Sequence, residues 1–175
     1  NAVGLDALKA HAICIQAARK SAGIVLPPLY WAADSRENLP DGDYVTGGVE
    51  SGERHHVPGS MYWVRPRTYH NLLLDIYEAM RRRGFRVIVV VAGHWSVPTV
   101  KVIRKTGAEF LASHPEMKWT VIIDYQLARG LPYPHEHAAG GETSLLMAIR
   151  PDLVDLGKTL ETDGALREFY AGQPA

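Results

Sequence analysis

Cysteine is nearly missing from this chain of 175 residues: Cys14 stands alone, which excludes an internal disulfide and fits a reducing compartment. Because it lies among apolar residues of a predicted helix, it reads as a buried, inert thiol rather than a nucleophile. Neither sign of charge is in surplus, since Lys plus Arg and Asp plus Glu both count 19. Without a whole-molecule field to gather polyanions, nucleic acid is not an expected partner. The one dense basic run, Arg81, Arg82 and Arg83, closes a predicted helix, where cations offset the negative end of the dipole. No stretch approaches the roughly 20 apolar residues that span a bilayer, and no charged-then-apolar leader opens the sequence. The expectation is a cytoplasmic protein with no membrane partner. Three hydrolase and nucleotide signatures are missing as well: "GHWSV" is not the G-x-S-x-G turn of serine hydrolases, and no P-loop or G-x-G-x-x-G fingerprint occurs.

What is present is alternation. Apolar residues recur from Leu5 to about Ala22 at helical spacing, with Gly23 as the expected stop. "GIVLPPLYW" reads as a short buried strand broken by Pro27 and Pro28, and it leads into the polar stretch "AADSRENLPDGDYVTGGVESGERHH". Uninterrupted loops this long inside compact domains tend to be lids, binding loops or disordered segments. "PGSMYW" resumes extended structure. In "RPRTYHNLLLDIYEAMRRRG", Tyr69, Leu72, Leu73, Ile76, Tyr77 and Met80 form one helical stripe ended by Gly84. "RVIVVV" is continuously apolar and β-branched, the pattern of a parallel strand covered on both faces. A turn, "AGHWS", precedes the helix "VPTVKVIRKTGAEFLASHP" and a second interior strand, "KWTVIID". Such alternation predicts βαβ units and a single domain over residues 1–175: a three-layer α/β/α sandwich with a mostly parallel central sheet.

The chemistry concentrates in two places. Ligands of open α/β sheets bind beyond the carboxyl ends of the strands, and "VVVAGHWS" puts His94 just past such an end, with Gly93 permitting a tight turn. The alternative is a histidine satisfied by a backbone carbonyl. Further on, "HEHAAGGETSLLMAIRP" sets His135, Glu136 and His137 before a two-glycine turn, after which Glu142, Thr143 and Ser144 open a helix that Pro151 helps to end. Dipole compensation accounts for Glu142 alone. It leaves two histidines and another acid in a short turn where Ser, Asn or Asp would be usual. Imidazole with carboxylate suits borderline divalent ions. An ion of this kind brings the pKa of a coordinated water to around 7 and polarises a carbonyl, as amide hydrolysis requires, while an uncoordinated His moves protons. His11 and His70 are assigned to helix surfaces, and His55 to a loop.

Taken in order, "GLDALKAHA", "VLPPLYW", "VPGSMYW", "GFRVIVVVAGHWS" and "EHAAGGETSLLMAIRPDLVDL" resemble the creatininase (creatinine amidohydrolase) family from about Val3 to Leu156, and the last block is the specific one. The resemblance implies hydrolysis of a small cyclic amide or formamide at a centre of two divalent metal ions, Zn, Mn or Fe, commonly in a hexamer. It also implies roles. Asp6 matches the metal-bridging aspartate at the start of the first helix, for which dipole compensation is the bland alternative. His94 matches a metal-ligating histidine of a Gly-His turn. Glu136 and His137 match the pair at the reacting centre, His137 moving protons. Glu142 matches the glutamate of a Glu-Thr-Ser signature, as a ligand or as a carboxylate supporting one.

Two departures qualify this. Ser96 stands where creatininase has a metal-binding glutamate, which argues against creatinine as the substrate more than against metal binding. The family's Glu-x-His segment and first strand lie upstream of Asn1, and the expectation is that a second polypeptide or a cleaved N-terminal segment supplies those ligands. Substrate contacts are expected from Trp95, Ser96, Trp63 and His56, with the polar loop from about Trp31 to His56. Competing readings are a catalytically silent scaffold that keeps the fold, and a deformylase of a nucleotide-like formamide.

Overall fold

A computed structural model describes residues 4–33, 63–94, 97–127 and 140–157. They fall into two units, one over Val3–Pro132 and the other over Asn1–Ala2 with Tyr133–Ala175.

In the larger unit, helix α1 (Leu5–Ser21) is followed by the two-residue strands β1 (Ala32–Ala33) and β2 (Trp63–Val64), helix α2 (Pro66–Arg82), strand β3 (Val87–Ala92), helix α3 (Val97–Ser113), strand β4 (Lys118–Ile123) and the single turn α4 (Asp124–Leu127). β3 and β4 pair in parallel over their whole length, from Val87 opposite Lys118 to Ala92 opposite Ile123. β1 and β2 also pair in parallel, Ala32 with Trp63 and Ala33 with Val64. The expected α/β class with a parallel sheet is what forms.

Helices α1, α2 and α3 form over the segments that apolar spacing marks. On α2, Tyr69, Leu73 and Tyr77, four residues apart, are buried, while Leu72 lies at the solvent edge of the stripe. Pro66 opens this helix, at the first turn where its missing N–H costs nothing. Gly84 ends it with a φ of +90°, its N–H reaching Arg81 O and the N–H of Phe85 reaching Met80 O, the two bonds of a Schellman turn. α2 packs on α3, and Tyr77 meets Phe110 and Trp119 edge-on, with centroids 5.5 and 6.1 Å away. Ile88 and Ala92 of β3, Val100 and Ile103 of α3, and Ile123 of β4 complete this core. The buried Thr99 hydroxyl joins β1 to it, accepting from Ala33 N at 3.2 Å and donating to Ala33 O at 3.1 Å.

Three expectations need correction. "GIVLPPLYW" is not a buried strand: residues 22–31 carry no regular structure, and Ile24, Leu26, Leu29, Tyr30 and Trp31 are exposed. Pro27 and Pro28 have no N–H to give a ladder, so extended pairing begins only at Ala32. β3 is not covered on both faces among the described residues, since Val87 and Val89 are each about half exposed beside Lys118 and Thr120 of β4. α1 ends at Ser21, and Ala22, not Gly23, takes the positive φ, 55°.

In the smaller unit, α5 (Gly140–Ile149) starts two residues before the expected Glu142, because Gly140 and Gly141 form its first turn rather than a loop. The Ser144 hydroxyl donates to Gly140 O at 2.7 Å. A 3-10 turn over Pro151–Leu153 follows, with Arg150 bonded to Asp152 through two nitrogens.

Two stability tests follow from this packing. A Cβ on Gly107 would come within 2.4 to 2.5 Å of the Trp119 ring. Gly107→Ala gains up to about 1 kcal/mol of helix propensity but is expected to lose about 1–3 kcal/mol to overpacking. A lowered urea midpoint is the expected outcome, and a raised one would show that the ring yields freely. The second test concerns Glu78. Hydrogen bonds from Arg81, then Arg82, hold its carboxyl at about 2, below the ordinary 4.5. A depressed carboxylate stabilises the fold fully above pH 4.5 and loses that contribution as pH falls toward 2. The gap between wild type and Glu78→Gln in urea midpoint should therefore shrink from pH 6 to pH 3, and shrink also in high salt, which screens such exposed networks.

Candidate functional site

The carboxyl ends of β3 and β4 lie side by side, because the ladder keeps Ala92 opposite Ile123. The residues that leave these ends are Gly93 and His94 from β3 and Asp124 from β4. α1 packs on β3 and brings its first turn to the same rim. The contact is very close: a Cβ on Gly93 would stand 2.0 Å from Asp6 O and 2.7 Å from its carbonyl carbon. Gly93 is therefore required for space. Its φ is not positive, so the tight turn expected of it is not the reason.

This approach places Asp6 beside His94, with His94 Nδ1 3.5 Å from Asp6 Oδ2 and the side chains 40% and 45% exposed. One turn along α1, Lys9 is buried, its Nζ 3.5 Å from Asp6 Oδ1 and 3.0 Å from Asp124 Oδ2. Asp124 Oδ1 accepts the N–H of Tyr125 at 2.8 Å. Two carboxylates, one ammonium and one imidazole thus meet at this rim.

The Asp6–His94 pair fits a divalent ion. Imidazole nitrogen and carboxylate oxygen are both good donors to Zn and its neighbours, and two ligand atoms about 2.0–2.1 Å from one tetrahedral ion stand about 3.3–3.4 Å apart. Among the described residues no three His, Cys, Asp or Glu side chains converge into a fuller metal-binding group.

Glu142 is the third residue of α5, half-buried, in the smaller unit. Trp63 forms β2, paired with Ala32. Glu136, His137, Trp95, Ser96 and His56 lie outside the described residues. Sequence reasoning missed Lys9 and Asp124. Asp124 had a legible signal, an acid directly after the interior strand "KWTVIID", the same placement that singled out His94. Lys9 had a weaker one, its spacing of three from Asp6 on a helix.

The Gly93 contact yields a prediction. Gly93→Ala drives a methyl group into backbone rather than into a side chain, so it is expected to lower the urea midpoint further than Gly107→Ala does and to part Asp6 from His94. Equal midpoints for the two variants would contradict this.

A family model described as creatinine amidohydrolase (creatininase) matches residues 1–172. The curated creatinine amidohydrolase of Pseudomonas putida is 25% identical over 175 aligned positions, which cover 91% of this chain and 62% of that protein. Among solved structures, a tryptophan-to-phenylalanine variant of creatininase matches with a TM-score of 0.66 at 26% identity, over 89% of this chain and 61% of the other. A glutamate-to-glutamine variant of the Zn–Zn type gives 0.64 at 26% identity over the same shares, 89% and 61%. A Mn form gives 0.63 at 25% identity, over 88% and 61%. The chain thus spans about three-fifths of the length of these relatives. With nearly all of its residues matched by the family model, the chain belongs to the creatininase (creatinine amidohydrolase) family.

Proposed function

We propose that this protein is a metal-dependent amidohydrolase that cleaves a C–N bond of a small cyclic amide or formamide. The observation that carries the reading is the pairing of His94 Nδ1 with Asp6 Oδ2 at 3.5 Å on the carboxyl rim of a parallel sheet, where α/β proteins bind their ligands. Relatives described as Zn–Zn and Mn forms of creatininase support divalent ions as the cofactor.

In this reading Asp6 and His94 are ligands. A tetrahedral shell takes four donors, so others must join them: Glu142, the Glu136–His137 segment, or a further polypeptide. Bound divalent ions would supply an activated water and a Lewis acid for the carbonyl. His137 delivers a proton to the departing nitrogen, with Glu136 beside it at the reacting centre. Trp95 and Ser96, directly after His94 in the chain, together with Trp63, His56 and the polar residues of the sequence from about Trp31 to His56, select the substrate. Flat aromatic faces suit a small planar amide or ring. Ser96 in place of a carboxylate favours an amide other than creatinine.

Two variants separate binding from chemistry. His94→Ala should lose the metal, measured by elemental analysis after dialysis, and activity with it. His137→Ala should keep the metal and lose most turnover, about 100-fold or more if it is the proton donor. Undiminished turnover in either variant contradicts the assigned roles, and a wild-type protein that retains no transition metal points to a silent scaffold.

A further inference from the structure

Lys9 carries a charge into the interior one helical turn beyond Asp6, and the reaction proposed above makes no use of it. Its side chain is 8% exposed, whereas those of Asp6 and His94 keep 45% and 40%. An ammonium so far withdrawn from water is costly unless carboxylates meet it. Two do, Asp124 Oδ2 at 3.0 Å and Asp6 Oδ1 at 3.5 Å. Asp124 is itself held: its side chain is 14% exposed, and its second oxygen accepts the N–H of Tyr125. The contacts therefore run from the backbone at Tyr125 through Asp124, Lys9 and Asp6 to His94, tying the rim of β4 to that of β3 by way of α1.

Direct action of Lys9 on a substrate fits this poorly, because Nζ would have to leave both carboxylates and its burial. A purely stabilising ion pair explains it poorly too, since buried pairs replaced by apolar residues are often as stable or more so. The geometry explains it better. The last torsion of an aspartate is broad and nearly two-fold, so an untethered carboxylate samples many orientations. A fixed cation on Oδ1 removes that freedom and leaves Oδ2 on the His94 side.

We propose that Lys9, anchored by Asp124, is a positioning residue that holds Asp6 Oδ1 and so presents Oδ2 to the ion bound by His94. This rests on the reading of Asp6 and His94 as metal ligands. The test is Zn²⁺ affinity, by competition with a chromophoric chelator, and the visible spectrum of the Co²⁺-loaded protein, for wild type and for Lys9→Met, Lys9→Arg and Asp124→Asn. Loss of a group that orients a ligand typically weakens metal binding about 10–100-fold. Lys9→Met should show such a loss with a shifted Co²⁺ spectrum, Asp124→Asn a smaller loss in the same direction, and Lys9→Arg, which keeps the charge, should recover most of the affinity. Unchanged affinity and spectrum in folded Lys9→Met and Asp124→Asn overturn the proposal, and so does Lys9→Arg as weak as Lys9→Met. Should Lys9→Met fail to fold, the contrast between Asp124→Asn and Lys9→Arg decides by the same criteria. A wild type that takes up neither ion overturns the ligand reading itself, a result distinct from a wild type that binds and variants that bind equally well.

Discussion

The close approach of α1 to the end of β3 is the constraint from which the site follows. The carbonyl of Asp6 occupies the volume where a side chain on Gly93 would begin, so only glycine lets the helix come so near. That nearness brings Asp6 to the residue after Gly93. It also serves the neighbouring strand. Parallel strands lie about 4.8 Å apart, and the register of Ala92 with Ile123 sets the residues just past each end in step. A single helical turn of α1 therefore spans both rims, Asp6 meeting His94 and Lys9 meeting Asp124.

Charge at this rim is graded by depth. Lys9 and Asp124 are withdrawn from solvent, while Asp6 and His94 are half open to it. With the histidine neutral, two carboxylates against one ammonium leave a net negative charge on the accessible side, which favours a cation there. The network of Glu78, Arg81, Arg82 and His114 is of another kind. It gathers at the carboxyl ends of α2 and α3, with Arg82 exposed and Glu78, Arg81 and His114 about a quarter exposed, and has more to do with helix ends than with a ligand.

Much of this could be read in the sequence, and for definite reasons. The stripe Tyr69, Leu73, Tyr77 and the stop at Gly84 are local signals, and local signals survive into the fold. The apolar run "RVIVVV" identified β3, and the rule for strand ends then singled out His94. The family resemblance supplied Asp6, which composition and spacing alone left as an acid compensating the helix dipole. The failures are as instructive. "GIVLPPLYW" has the apolarity of a strand, but its prolines remove the donors a strand needs. Lys9 was invisible because burial of a lysine depends on Asp124, more than a hundred residues away in the chain, and no window of sequence contains both. Glycine at position 93 was legible, but its cause was not: a demand for space depends on what lies across from it.

β1 and β2 run in the same direction although they are only two residues each. An antiparallel pair could be joined by a hairpin, but a parallel pair obliges the chain to travel back to its starting edge, which takes a dozen residues or more. A long connection over residues 34–62 is thus required in kind by topology. Its two roots are pinned together, Ala33 by Thr99 and by its pairing with Val64. With ends fixed in this way, doubling the length of the connection would add only about 0.6 kcal/mol of closure entropy. The length of this connection is therefore only weakly constrained by closure entropy, since its two ends are held by the pairing of Ala32 and Ala33 with Trp63 and Val64 and by Thr99, and not by the residues between them.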